Sequence, residues 1–510
     1  LVGCALWAAS CAVPLGPGYV VEKQEIRVQF APAAGAVHIE ANYRLRNTGT
    51  RSLSEIIILL PGGRRLHHGP AEIKWDGTEI ADAAHDGARE VRLRFAIPWV
   101  VSAEHALRIS YDILPPPAEN ASALRFSQDA FYLPAAGWSP ELPQLSGLFG
   151  FGGVPPKKWE LVVTVPEGFM VHTSGALKKG KRDSAGMQTW QALQTVDDRY
   201  PFVVSGRYSS MELRNAQQNI FLWSRAPGTS AILRQASSAL ARTVDVYNAS
   251  FGAPANRVKA FWIVECPIPK SCMARFHAGE TVPPSGEEKS EDEGPGQREE
   301  SGAELASSDT VMVDTTSGAP QLAADAAPSL AASWLGYGRN PGFYVQTAPL
   351  SELPNFAAEQ AREAMDGAQM RSAAIRRALE LVPKVAVAQS SDARGQREEQ
   401  RALRAKSLLF FYALQDRSGA QAFHSAIVHM LDARAARGFD LDDLIAAFEQ
   451  ETHQNVAQFV RQWMKRPGVP QEFRARYEHQ AANDAGAPTS TPAAWPKASP
   501  GALHFQGDLP

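Results

Sequence analysis

The chain is poor in histidine through its centre: of 12 histidines in 510 residues, none lies in 278–423. A histidine-built metal centre carried by that segment is therefore excluded. Charge of one sign is also lacking. Fifty-one basic residues face 54 acidic ones, for a net charge of −3, which leaves no electrostatic case for nucleic acid or an anionic membrane. The sequence holds no zinc knuckle, Gly-rich phosphate loop or dinucleotide fingerprint. A Gly-x-Ser-x-Gly elbow is missing too, which removes support for a serine hydrolase.

What is present fits an ordinary globular protein. Apolar residues make up 44% and charged residues 21% of the chain, and its length supports two or three domains. The opening 1–14 is apolar and free of charge. It is too short to span a bilayer but suits the end of a secretory signal. A basic start and an initiator Met are both missing, so a trimmed start is expected. Ala8-Ala9-Ser10-Cys11 resembles a bacterial lipoprotein cleavage box, with Cys11 as the lipidation candidate. Leu1-Val2-Gly3-Cys4 fits the box better by letter but has no apolar run before it, and a plain cleaved signal is the other reading. Cys266 and Cys272 can pair in an oxidising compartment, though five intervening residues do not establish it.

Periodicity divides the rest. Val37, Ile39, Ala41, Tyr43 and Leu45 alternate with polar residues, as in a half-buried strand. Further β-rich runs at 56–60, 91–97, 107–111, 161–165 and 202–204 are separated by turn clusters, predicting a β-sandwich over 19–210. The pattern then changes to a helix over 231–247, a buried strand over 258–264 and mostly helix over 355–478. Residues 283–309, rich in Glu, Ser, Gly and Pro, read as a disordered insertion within 211–480. The Ala/Pro/Ser-rich 481–510 reads as a loose tail, and 1–18 as the leader. The fold class expected is multidomain α+β: an N-terminal β-sandwich, an α/β unit and a helical C-terminal region.

Several short motifs occur in a telling order. They are Phe131-Tyr132-Leu133-Pro134 with Trp138-Ser139-Pro140, and Ser205-Gly206-Arg207-Tyr208. Phe251-Gly252-x-Pro254, Val264-Glu265-x-Pro267, and Trp463 with Arg466-Pro467-Gly468 follow. Together they resemble the membrane alanyl aminopeptidase family, the gluzincin metallopeptidases, over 19–477. The resemblance implies a thermolysin-like α/β unit after the sandwich, and it implies zinc.

The residues that such chemistry needs are replaced. Pro328-Ser329-Leu330-Ala331-Ala332-Ser333-Trp334-Leu335-Gly336 resembles the family's His-Glu-x-x-His-x-Trp-x-Gly helix. Pro328, Ser329 and Ala332 stand at the two histidines and the glutamate, and none offers an imidazole or a base near neutral pH. Leu350-Ser351-Glu352 resembles the context of the third ligand, arriving late, which makes Glu352 a relic ligand. Such an acid is expected to bond instead to nearby backbone or a basic group. Ser271-Cys272-Met273-Ala274-Arg275 is similar to the exopeptidase loop Gly-x-Met-Glu-Asn. There Met273 survives, Ala274 replaces the amine-binding glutamate, and Arg275 would repel an ammonium group. Arg404-Ala405-Lys406-Ser407 stands where Tyr-x-Lys-Gly would supply the oxyanion-stabilising phenol, so Arg404 replaces the tyrosine.

Other histidines do not make up the loss. His424 and His429 are separated by about 140° round a helix and do not converge. His67-His68 reads as a surface pair in a loop, and His277 near Cys266 and Cys272 matches no common zinc spacing. The expectation is an exported aminopeptidase-like protein without catalysis and with no metal cofactor, located in the periplasm or outer envelope. It would bind a peptide, protein or envelope component through the old cleft or the β domain, with membrane contact only through a lipid anchor. One alternative is an active zinc aminopeptidase with non-standard ligands. Another is a structural scaffold in a surface assembly.

Overall fold

The computed structural model describes residues 18–61, 67–79, 90–114, 126–134, 138–145, 151–153, 156–193, 201–214, 218–254, 260–268, 303–307, 309–336, 348–382, 393–434, 439–465 and 468–484. Two compact units part between Tyr208 and Ser209.

The first unit is built of strands. In chain order they are β1 (Tyr19–Ala31), β2 (Ala36–Asn47), β3 (Leu53–Leu59), β4 (His67–His68), β5 (Glu72–Trp75), β6 (Thr78–Glu79), β7 (Glu90–Trp99) and β8 (Glu104–Leu114). There follow β9 (Phe126–Ser127), β10 (Ala130–Leu133), β11 (Pro143–Leu145), β12 (Phe151–Gly153), β13 (Trp159–Pro166), β14 (Met170–Thr173), β15 (Ala176–Arg182), β16 (Met187–Leu193) and β17 (Val203–Gly206). The large sheet runs β15-β16-β13-β1-β2-β8-β5-β6, with β4 also on β8. A four-stranded sheet runs β14-β17-β10-β9, and β3 pairs with β7.

The alternation read in β2 is real: Val37, Ile39, Ala41, Tyr43 and Leu45 are all buried. They share one core with Ile58 and Leu93 of the β3–β7 pair and with Phe131 and Val203 of the smaller sheet. Sheets facing each other across a common core are the expected sandwich. In the smaller sheet, Gly206 lets β17 press on β10, because a Cβ there would lie 2.6 Å from the Ala130 Cβ. The turn Trp138-Ser139-Pro140 is tied down from the large sheet. Tyr111 donates to the Trp138 carbonyl at 2.7 Å and Tyr43 to the Pro140 carbonyl at 2.6 Å.

His67-His68 is not a loop pair. It forms β4 on β8, and His68 is buried with its Nδ1 2.6 Å from the Gly69 carbonyl. The His68 ring edge also meets Tyr111, so aromatic packing draws it inward.

The second unit starts with β18 (Ser209–Arg214), β19 (Asn219–Ser224), α1 (Pro227–Phe251), β20 (Ala260–Glu265), β21 (Ala303–Ser307) and β22 (Thr310–Val313). The helices α2 (Ala319–Trp334), α3 (Ala348–Ser351), α4 (Leu353–Asp366), α5 (Gln369–Leu381), α6 (Ala393–Ser418), α7 (Ala420–Arg434), α8 (Leu441–Thr452), α9 (Val456–Lys465) and α10 (Gln471–Asp484) complete it. Its sheet runs β18-β19-β20-β22-β21, parallel in the middle and antiparallel at both edges. The β20 run Phe261, Ile263 and Val264 is buried, as a central parallel strand requires. The expected β-rich start, central α/β unit and C-terminal helices are therefore the observed architecture.

The expected disordered insertion 283–309 needs one correction. Most of it lies outside the described residues, but Ala303–Ser307 is the edge strand β21. The Glu and Ser around it hid a strand that pairs along one side with β22. Of the leader 1–18, residues 1–17 lie outside the described residues; of the expected tail 481–510, residues 485–510 do, while 481–484 are not loose but close helix α10.

Candidate functional site

Helix α2 carries Pro328, Ser329 and Ala332. Gly318 and the early Pro320 open it, and Pro suits the first turn because its missing N–H has no helical partner there. Leu335 closes it, followed by Gly336 at φ +80°, a left-handed conformation that favours glycine. Between these ends the helix is apolar and buried against α1 and α4. The Trp334 indole donates to the Gly252 carbonyl at 2.9 Å and stacks on Phe261 at 4.9 Å. Tyr247 of α1 donates to the Ala327 carbonyl at 2.8 Å. Two of the motifs read separately, Phe251-Gly252 and Trp334-x-Gly336, thus touch each other.

These three residues are packed into the helix interface to differing degrees. Ser329 and Ala332 are buried, and Pro328 is half-buried in the middle of the helix. Proline leaves the carbonyl of Ala324, one turn earlier, without its helical donor. A backbone that tolerates proline there gains no imidazole in return.

Glu352 precedes α4 and is buried. Its carbonyl accepts from the Phe356 amide at 2.9 Å, so it sits at the positive end of the helix. Asn355 donates to one carboxylate oxygen at 2.6 Å. The Arg404 Nε of α6 lies 3.8 Å from the other. Burial pushes the carboxyl upward from its ordinary value, while the Asn355 hydrogen bond and the Arg404 charge pull the other way. The structure therefore brings together two positions that the sequence raised for different reasons, the relic ligand and the lost tyrosine. The basic partner expected for Glu352 is Arg404. Asn355 was not anticipated, and the Glu352-x-x-Asn355 spacing across a helix start is the signal that could have found it. Two residues beyond Arg404, partial burial pulls the Lys406 ammonium downward.

The histidines of α7 stay apart. His424 Nε2 meets the Gln360 amide oxygen at 3.1 Å, with its ring edge on Phe251, and burial pulls its pKa down. His429 faces Glu451 instead, at 3.3 Å. Met273, Ala274, Arg275, His277 and Cys11 lie outside the described residues. Cys266 ends its strand buried and disulfide-bonded, while the other three cysteines lie outside the described residues.

No family model matches the chain, and no curated protein matches it. Solved structures do. An M1 zinc metallopeptidase from Deinococcus radiodurans has a TM-score of 0.53 at 14% identity, covering 89% of this chain and 95% of that one. A mutant of that enzyme bound to a Tyr-Ser-Ala substrate gives 0.54 at 15%, with coverage of 89% and 95%. Legionella pneumophila aminopeptidase A in complex with aspartic acid gives 0.57 at 11%, covering 88% of this chain and 50% of that one. The fold is that of the M1 zinc aminopeptidases.

Zinc does not fit the side chains of Pro328, Ser329 and Ala332, the residues expected at the metal-site helix. Pro328 and Ala332 have no donor atom, and Ser329 is a poor substitute for a carboxylate base. The one carboxylate, Glu352, already faces a guanidinium that a divalent cation would have to approach. Among the described residues, no group of three or more His, Cys, Asp or Glu is placed to hold a metal.

Proposed function

We propose that this is an exported, non-catalytic aminopeptidase-like protein that binds a peptide, protein or envelope component. The observation that carries the reading is the Arg404–Glu352 pair. A guanidinium at the tyrosine position neutralises the carboxylate at the third-ligand position, so a positive charge of the protein takes the place of the metal's. With proline, serine and alanine at the other positions, water activation by zinc has no support in these side chains. What remains is a packed peptidase frame, and such frames present concave surfaces suited to binding. The Cys266 disulfide supports export, since such bonds persist in oxidising compartments. The apolar segment 1–14 supports the same location, with Cys11 as a candidate lipid anchor.

The test is incubation of the purified chain with a mixed peptide library, read by mass spectrometry. Retention of a peptide subset with no shortening supports the reading. Sequential loss of N-terminal residues overturns it and restores an aminopeptidase.

A further inference from the structure

The first unit has one end where the chain enters and where the only markedly exposed aliphatic cluster among its described residues stands. Ile97 is 84% exposed, Val100 56% and Val101 43%, with Pro98 also open. They occupy the end of β7 and the turn into β8. Exposed aliphatics grouped on one turn ordinarily mark an interaction surface.

The turn is held rigidly. Trp99 between them points inward, buried, with its indole donating to the Ala103 carbonyl at 3.0 Å. Its ring packs on Tyr19, Trp75, Phe95 and His105. Buried Asn47 fastens the same turn from β2. Its side chain donates to the Trp99 carbonyl at 2.9 Å and the Arg51 carbonyl at 3.1 Å, and its backbone carbonyl accepts from Ser102 at 2.9 Å. Ser102 holds a left-handed φ of +65°. A surface ordered in this way loses little conformational entropy on binding.

The chain entry is fastened there too. The Gly18 carbonyl accepts from Thr48 at 2.8 Å and Gly49 at 2.7 Å, directly beyond Asn47. Residues 1–17 before it carry no charged side chain. Cys11 lies seven residues before Gly18, a reach of at most about 25 Å. A lipid on Cys11 would thus hold this end of the unit close to a bilayer.

We propose that the 97–101 turn is a membrane contact, with Ile97, Val100 and Val101 entering the interfacial region of a phospholipid bilayer. The contact is apolar and draws on no attraction to anionic headgroups, which a net charge of −3 would not supply. It takes its setting from the export reading, and the test separates the two.

The experiment uses the full chain carrying Cys11→Ser, which removes lipidation, with and without Ile97→Ser, Val100→Ser and Val101→Ser. Flotation with phosphatidylcholine vesicles is measured at physiological salt. The proposal expects the parent to float and the triple variant to partition about tenfold less, given the apolar area removed. Equal flotation of both, or flotation of neither, overturns it. Labelling the unmodified chain with a radioactive fatty acid reports on lipidation independently, so failure of either reading is visible by itself.

Discussion

Two parts of helix α2 answer to different demands: its end at Trp334 and Gly336, and its middle at Pro328, Ser329 and Ala332. The frame matches the peptidase pattern letter for letter at Trp334 and Gly336, and both have a packing reason to be there. Trp334 closes α2 onto Gly252 and Phe261, and Gly336 adopts a backbone angle that favours glycine. On the proposed reading Pro328, Ser329 and Ala332 depart from the pattern, and no packing need calls for an imidazole at Pro328 or Ala332. Packing and catalysis impose separate demands on one helix, and the packing demand is met at Trp334 and Gly336.

The contrast can be broken most strongly at Trp334. Trp334→Ala removes a fully buried indole and its hydrogen bond, and is expected to cost about 3–5 kcal/mol of stability, read by denaturant unfolding. A smaller loss of stability would mean that the frame does not depend on that contact. Pro328→Ala should act in reverse. Restoring a helical donor in mid-helix is expected to stabilise by about 1–3 kcal/mol on the same assay. A working active site tends to lose function on stabilisation, whereas a vestigial one has nothing to lose.

Rebuilding the donors sharpens the comparison. Pro328→His, Ser329→Glu and Ala332→His together place two imidazoles one turn apart on α2. Zinc titration calorimetry should show weak binding while Arg404 remains, and about tenfold tighter binding once Arg404→Tyr is added. No change on removing the guanidinium would show that it does not oppose the metal.

The smallest effect is in pH dependence. The folded-state pKa of Glu352 is raised by burial, so the folded chain favours its protonated form. Its contribution to stability is full below the ordinary carboxylate range and falls as pH rises through the raised value. Glu352→Gln should remove that slope from the urea midpoint. Arg404→Ala should steepen it, by about 1 kcal/mol at neutral pH, since the arginine is partly open to water.

Much of this was legible in the sequence because apolar periodicity and turn residues report directly on burial. The alternation in β2, the run of β20 and the Trp334-x-Gly336 ending all point to the elements observed. Composition misled at Ala303–Ser307, an edge strand inside a stretch rich in Glu and Ser and held by backbone pairing. It misled again at His67-His68, where pairing with β8 and the Tyr111 ring override the polar reading. The Arg404–Glu352 contact joins helices far apart in sequence, and no local pattern encodes which acid a given arginine will meet.

The most direct test of the account is metal content. Zinc and other transition metals should be counted per chain on protein purified without a chelator or a histidine tag. Far less than one equivalent is expected, at most about a tenth, because Pro328 and Ala332, two of the three proposed ligand positions, have no donor atom. A full equivalent of zinc surviving dialysis would contradict it.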